Sequence, residues 1–141
     1  ITYVQEIVGI QSITAVPETE DYIRGLINIR GKIIPVIDVR VRLKQEAREY
    51  TDRTCIIVTG VKSTVVGLIV DEIAGVITVN EKEIILPPSL SQSTAGNSKY
   101  VFGLARVDNE VKLLLDPEKL IRDEDVEMLE DAAPAGEVAE V

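Results

Sequence analysis

Four acidic side chains lie where the sequence pattern predicts strand ends: Asp38, Asp71, Glu72 and Asp116. An enzyme could use two such carboxylates as general acid and base, as glycosidases do, or as oxygen ligands for a divalent cation. Their spacing fits neither use, because the sequence contains no Asx-rich calcium loop and no pair of glutamates at helical spacing. Turn-capping or solvated carboxylates are the favoured interpretation. An acidic hydrolase built on Asp38 and Asp71 is kept as the enzymatic alternative.

Other catalytic groups are scarce in the sequence. It contains no His, which removes the commonest general base and the usual metal ligand. The single cysteine, Cys55, begins an apolar segment with no imidazole to activate it, so a buried structural thiol is favoured over a nucleophile. Gly25 and Gly31 are separated by apolar residues and lack the Lys-Ser/Thr of a nucleotide-binding loop. We therefore expect no catalytic activity and no metal site.

The net charge of -9 is unevenly distributed along the 141 residues. Residues 123–141 hold eight acidic and no basic residues, whereas residues 1–122 hold 16 acidic and 15 basic residues. The body is nearly neutral, so the argument against a nucleic-acid partner rests on the lack of a basic patch and of an aromatic platform. No apolar run reaches the roughly 20 residues that span a bilayer. We expect a soluble, cytoplasmic chain without direct membrane insertion.

β-branched residues dominate the composition, with 18 Ile and 19 Val against 11 Leu and 9 Ala. This preference favours an all-β fold. Strands are predicted at 26–30, 33–38, 54–59, 65–70, 74–79, 100–107 and 110–115, while residues 2–10 fit either a strand or a helix. A pair of small closed barrels suits so many short strands better than one open sheet, because closure removes exposed edges.

The segments between the predicted strands have less distinctive sequence patterns. Residues 17–21 have the composition of a short helix start, which Gly25 would stop. Pro35 cannot donate a ladder hydrogen bond, so its strand is predicted to lie at an edge or to carry a bulge. The charged segment 40–50 is the best candidate for a connection between two halves. Residues 87–99 are predicted to form a polar loop.

One segment, RGLINIRGKIIPVID at residues 24–38, resembles the CheW family, the adaptors that couple bacterial chemoreceptors to the histidine kinase CheA. Three further segments agree in order and spacing: YVQEI at 3–7, VVGLIVDEIAGVITV at 65–79 and LLLDPEKLI at 113–121. The resemblance implies two SH3-like five-stranded β-barrels packed around a shared core with a groove between them. It also implies no catalysis and no cofactor, in agreement with the residues.

The resemblance and the strand pattern together predict four parts of the chain. These are a first barrel (1–44), a second barrel (45–115), a C-terminal helix packing back on the body (116–131) and a disordered acidic tail (132–141). The family usually has a strand and a hairpin before the YVQEI segment. We therefore expect the first barrel to lack its N-terminal strand and to be open.

Matching the family's motifs residue by residue implies a receptor- and kinase-binding set: Val4, Glu6, Gly25, Arg30, Gly31, Gly67, Ile73 and Val76. A helical receptor tip would lay aliphatic residues into the groove, and the kinase's regulatory domain would pair end to end with the barrels. Judged by residue type alone, Val4, Ile73 and Val76 could be buried core residues. The glycines could be required for a positive φ or for close packing. Arg30, in an apolar strand, must pair with an acid such as Glu6, reach outward, or do both.

Two non-enzymatic functions remain open. One is an adaptor that binds the cytoplasmic tip of a chemoreceptor and the regulatory domain of CheA and is recruited to receptor clusters at the membrane. The other is a CheW-like regulatory domain cut from a CheA-type kinase. A free-standing adaptor is expected to end soon after its last helix, and the sequence ends after an acidic segment, which favours the adaptor.

Overall fold

The computed structural model describes residues 3–61, 63–86 and 100–122. The chain divides into two compact units. The first contains the residues up to Ile73 and resumes at Ile121, and the second runs from Ala74 to Leu120.

The first unit is a five-stranded sheet with one short helix. Its elements are β1 (Val4–Gly9), β2 (Ile23–Ile29), β3 (Lys32–Asp38), α1 (Val39–Arg42), β4 (Cys55–Val61) and β5 (Thr64–Val70). The strand order is β1-β4-β5-β3-β2. All neighbouring strands are antiparallel except β3 and β5, which run parallel.

The parallel pair joins two hairpins into one sheet. β2 with β3, and β4 with β5, are hairpins between consecutive strands. The register between β3 and β5 places Val36 opposite Gly67, Ile37 opposite Leu68 and Asp38 opposite Ile69. The division of the structure therefore differs from the predicted boundary at 44/45, because β4 and β5 complete the first sheet. Segment 40–50 connects β3 to β4 inside the first unit and does not link two halves.

One face of this sheet buries an aliphatic core. Its buried members are Ile27, Ile29, Ile34, Val36, Ile56, Val58 and Ile69. Gly67 lies among them, and a Cβ built on it would be 2.7 Å from Cγ2 of Ile56 and 2.8 Å from Cγ1 of Val36. The absence of a side chain at Gly67 lets the core close over β5.

The prediction that the Pro35 strand lies at an edge is wrong, because β3 lies between β2 and β5. Pro35 is opposite Leu26 of β2, and the pairing with β5 begins one residue later, at Val36. The ladder to β5 therefore requires no donor from Pro35. The alternative of a bulge in this strand is also wrong, because the β2–β3 register shift between Ile23 and Gly25 places the extra residue in β2.

The helix predicted from residue 17 does not form. Residues 17–18 are a turn, and β2 begins at Ile23. Gly25 lies inside β2 with a φ of 140°, and a Cβ there would be 2.0 Å from the carbonyl oxygen of Thr14. Thr14 and Leu26 exchange backbone hydrogen bonds of 2.8 and 2.9 Å. Gly25 thus allows another backbone segment to approach β2 closely.

The second unit contains β6 (Ile84–Ile85), β7 (Val101–Val107), β8 (Glu110–Leu115) and α2 (Pro117–Leu120), with strand order β6-β7-β8. The β7–β8 hairpin confirms the strands predicted on either side of residues 108–109. The strand predicted at 74–79 does not form, and a 3₁₀ turn (Glu81–Glu83) precedes β6. The backbone N–H of Glu118 donates to Oδ1 of Asp116 at 3.0 Å, as expected at a helix start.

The all-β prediction is confirmed, since strands supply most of the regular structure of the described residues and both α-helices found there have four residues. In the described part of the second unit the sheet has three strands, compared with the five expected of a barrel. The predictions for residues 87–99, for the helix beyond residue 122 and for the acidic tail at 132–141 lie outside the described residues.

We predict that Gly67→Ala destabilises the chain by about 1–3 kcal/mol, because the added methyl overpacks the core between Ile56 and Val36. Urea unfolding measures the change. Gly9→Ala is the matched control, since a Cβ at this exposed strand residue meets no atom within 4 Å. Equal stability of the two variants would contradict the packing role of Gly67.

A buried acid ends β3 and starts α1. Asp38 is 3% exposed, and its Oδ1 accepts the backbone N–H of Val41 at 3.4 Å. The hydroxyl of Tyr50 donates to Oδ2 at 2.8 Å. Burial, and next the hydrogen bond to Asp38, raise the pKa of Tyr50 to about 12. The phenol therefore remains protonated, and able to donate, well above neutral pH.

This pKa predicts a pH dependence of stability. Because the pKa of Tyr50 is 10.0 when unperturbed and about 12 in the fold, its contribution is complete below pH 10 and is lost as the pH rises to 12. The free energy of unfolding of the wild type should therefore fall more steeply over this interval than that of Tyr50→Phe. Parallel curves for the two proteins would show that the fold does not raise the pKa of Tyr50.

Candidate functional site

Glu6 and Arg30 meet at one end of the first sheet. Nη2 of Arg30 donates to Oε2 of Glu6, which confirms the pairing expected from the sequence. The Arg30 side chain is 71% exposed and that of Glu6 is 33% exposed. The pair connects the edge strand β1 to the β2–β3 hairpin, so a charged bridge crosses from one edge of the sheet to the other.

Arg30 occupies a turn, which corrects the prediction that it lies in a strand. Ile29 and Lys32 are opposite one another, leaving Arg30 and Gly31 as a two-residue connection with φ angles of 52° and 86°. Positive φ at both positions defines a type I′ turn. The N–H of Gly31 donates to Oδ1 of Asn28 at 2.8 Å. The left-handed conformation of Arg30 is unfavourable by roughly 1–2 kcal/mol for a residue with a Cβ.

A depression of about 260 Å³ lies beside the ion pair. Its aliphatic lining is Ile29, Ile34, Val58 and Val65, and its polar lining is Gln5, Glu6, Arg30 and Lys32. Sequence reasoning missed Gln5, Lys32, Val58 and Val65 as neighbours of the pair. Recognising the turn at Arg30 would have predicted that Lys32 lies beside the pair. The position of Gln5 was not predictable in this way, because it depends on a register shift in β1 between Val4 and Glu6.

The other predicted site residues do not join this depression. Val4 starts β1 and is 39% exposed, as is Ile73 after β5, while Val76 in the second unit is 78% exposed. These three aliphatic side chains are exposed in the structure and are not core residues. Gly25 and Gly67 are buried, and the structure gives both of them the packing roles described above.

The carboxylates singled out from the sequence all have structural partners. Asp38 and Asp116 cap the two helices, and Asp71 pairs with Arg40 at 3.0 Å and Arg48 at 3.7 Å. Each acid is therefore engaged by separate donors or cations.

The other carboxylate and the cysteine singled out from the sequence also have structural partners. Oε2 of Glu72 lies 3.6 Å from a guanidinium nitrogen of Arg53. Cys55 is half-buried, and its thiol donates to the Arg53 carbonyl at 3.2 Å. Among the residues the structure describes, no group of three or more His, Cys, Asp or Glu side chains could hold a metal ion. Within the same residues, no helix has the length and apolar character needed to cross a membrane.

A β-rich chain with a depression bordered by charged side chains and with exposed aliphatic side chains elsewhere belongs to the class of protein-interaction modules. The family model described as "CheW-like domain" matches residues 1–125. The chemotaxis protein CheW of Klebsiella aerogenes is 33% identical over 133 residues, which cover 94% of this chain and 79% of that protein. CheW of Rhizobium meliloti is 32% identical over 127 residues, covering 90% and 81%.

A solved structure agrees with the sequence comparisons. The crystal structure of the scaffolding protein TtCheW from Thermoanaerobacter tengcongensis superposes with a TM-score of 0.78 at 35% identity, over 87% of this chain and 82% of that one. The chain belongs to the CheW family, the non-enzymatic adaptors of chemotaxis signalling. The hydrolase alternative is therefore wrong. The alternative of a domain cut from a CheA-type kinase is not favoured, because these relatives are CheW proteins.

We predict that Arg30→Asn changes the free energy of unfolding by less than about 1 kcal/mol. Asn tolerates a positive φ, and an exposed ion pair contributes at most about 1 kcal/mol. Arg30→Val, which places a β-branched residue at the same φ, should be clearly less stable. Urea unfolding of both variants provides the comparison. Equal destabilisation by both substitutions would mean that the ion pair, and not the turn, determines stability here.

Proposed function

We propose that this chain couples chemoreceptors to the histidine kinase CheA by binding the cytoplasmic tip of the receptor and the regulatory domain of the kinase. The observation that carries the proposal is the Glu6–Arg30 pair beside the aliphatic depression. The relatives are chemotaxis proteins, and the solved relative is a scaffolding protein, which supports a role in bringing other proteins together.

The energetics of Arg30 favour an interaction role. Its guanidinium is exposed, so its pairing with Glu6 adds little to stability, yet its backbone is held in an unfavourable conformation. Such strain in an exposed position is typical of residues held for function. Lys32 adds a second cation to the rim. This rim offers charged hydrogen bonds, whereas Ile29, Ile34 and Val58 beneath it are buried in the core, so the charged groups would carry the contact with a partner.

Exposed aliphatic side chains are the proposed contacts for the receptor tip. Val4, Ile73 and Val76 would each bury apolar surface against aliphatic residues of a receptor helix. The regulatory domain of the kinase would pair end to end with the β-units. The adaptor would thus act in the cytoplasm, recruited to membrane receptor clusters through its protein contacts and not by inserting into the bilayer.

Two substitutions test the role of the charged pair. In Arg30→Asn and Glu6→Gln the turn and the strand remain, but the ion pair is lost. We expect binding to at least one partner to weaken by about tenfold, equivalent to about 1.4 kcal/mol, with a matching loss of receptor-dependent kinase activation. Pull-downs with a receptor tip and with the kinase regulatory domain, done separately, identify the partner that is lost.

The control is Arg53→Asn, which removes an exposed arginine that pairs with Glu72 outside the depression. This variant should bind and activate like the wild type. Unchanged coupling in both Arg30→Asn and Glu6→Gln would remove the pair from the site. If the wild type bound neither partner, the proposed function itself would be wrong.

A further inference from the structure

Lys32 is the first residue of β3 and lies on the face of that strand that carries the aliphatic core. Side chains two residues apart in a strand share a face, and Ile34 and Val36 are buried members of the core. Ile29, another core member, is opposite Lys32 in the β2–β3 hairpin. Lys32 itself is exposed and lines the depression, so the core row of β3 ends in a cation at the surface.

The charged side chains that line the depression leave one positive charge uncompensated. They are Glu6, Arg30 and Lys32, and the Arg30 guanidinium already pairs with the Glu6 carboxylate. The ion pairs formed among the residues that the structure describes do not include Lys32. Its ammonium therefore faces water beside a pair that is neutral as a unit.

A lysine in this position can also serve the fold alone. Its four-carbon stem can cover apolar surface while the ammonium stays in water. That use depends on the stem and not on the charge, so the unbranched apolar side chain of Met would replace Lys32 in it. A role of the charge is thus separable by experiment from a role of the stem.

The chemistry of the uncompensated charge fits a carboxylate. An ammonium is a compact point charge with three donors, and one ionised Asp or Glu side chain balances it. A phosphorylated side chain carries about 1.5 to 2 negative charges and would require a second free cation. The other cation at the rim is not free, because Glu6 holds the Arg30 guanidinium.

We propose that Lys32 receives an Asp or Glu side chain of the protein that binds over the depression, an inference that rests on the proposed coupling function. Because the Glu6–Arg30 pair is neutral as a unit, Lys32 gives the rim its net charge. The lysine thus selects a partner surface that is acidic at this point and disfavours one that is basic there.

The first test compares Lys32→Met with Lys32→Arg in binding to a receptor tip and to the kinase regulatory domain, measured separately. Met keeps an unbranched apolar side chain, so the urea unfolding midpoint should not change. Binding of Lys32→Met to one partner should weaken by about fivefold, as expected for the loss of one exposed charge pair. Lys32→Arg keeps the charge and should bind within about twofold of the wild type. The wild-type affinity should also fall more steeply with salt than that of Lys32→Met.

The second test locates the carboxylate by replacing exposed acids of that partner, one at a time, with their amides. One such substitution should weaken binding of the wild type by about fivefold and leave binding of Lys32→Met unchanged, as a direct pair requires. Lys44→Met is the control. Lys44 is an exposed lysine of the same unit that follows α1, at the other end of β3, and this variant should bind like the wild type.

Three results would overturn the proposal while leaving the coupling function intact. They are equal binding of the wild type and Lys32→Met to both partners, equal weakening by Lys32→Met and Lys32→Arg, and a set of amide substitutions none of which depends on Lys32. If the wild type bound neither partner, the coupling function would fail together with the proposal, so the two failures are distinguishable.

Discussion

The parallel contact between β3 and β5 is the constraint on which the first unit depends. It has only three register pairs, yet among the described strands it is the backbone pairing that connects the β2–β3 hairpin to the β4–β5 hairpin. Gly67 lets the two strands carry a closely packed core, because Val36 and Ile56 fill the space where its side chain would be. Without this contact, β2 and β3 would be an isolated hairpin, which is marginally stable in water.

The charged pair is a consequence of that arrangement. β1 joins the sheet through β4, and the turn of Arg30 joins it through β3, so Glu6 and Arg30 meet only when both hairpins share one sheet. The same ordering places the aliphatic floor of the depression beneath them. Asp38 lies at the opposite end of β3, where the strand passes into α1. β3 thus carries a surface feature at its start and a buried carboxylate at its end.

Local features of this fold were predictable from the sequence, and non-local ones were not. The strands of the β4–β5 and β7–β8 hairpins were predicted because strand patterns act over a few neighbouring residues. The pairing of Arg30 with Glu6 was expected because a charge in an apolar run needs a partner. The β3–β5 contact leaves no local pattern, which is why the division after residue 44 and the edge position of Pro35 were predicted. Gly25 was interpreted as a helix stop because its close approach to Thr14 depends on tertiary structure.

The proposed adaptor function is tested most directly by measuring kinase activity in a mixture of a receptor cytoplasmic fragment, full-length CheA and this chain. The account predicts that CheA autophosphorylation rises when all three proteins are present and not when any two are combined, with the three proteins sedimenting as one complex. A rate that is the same with and without this chain, together with no complex that contains it, would contradict the account.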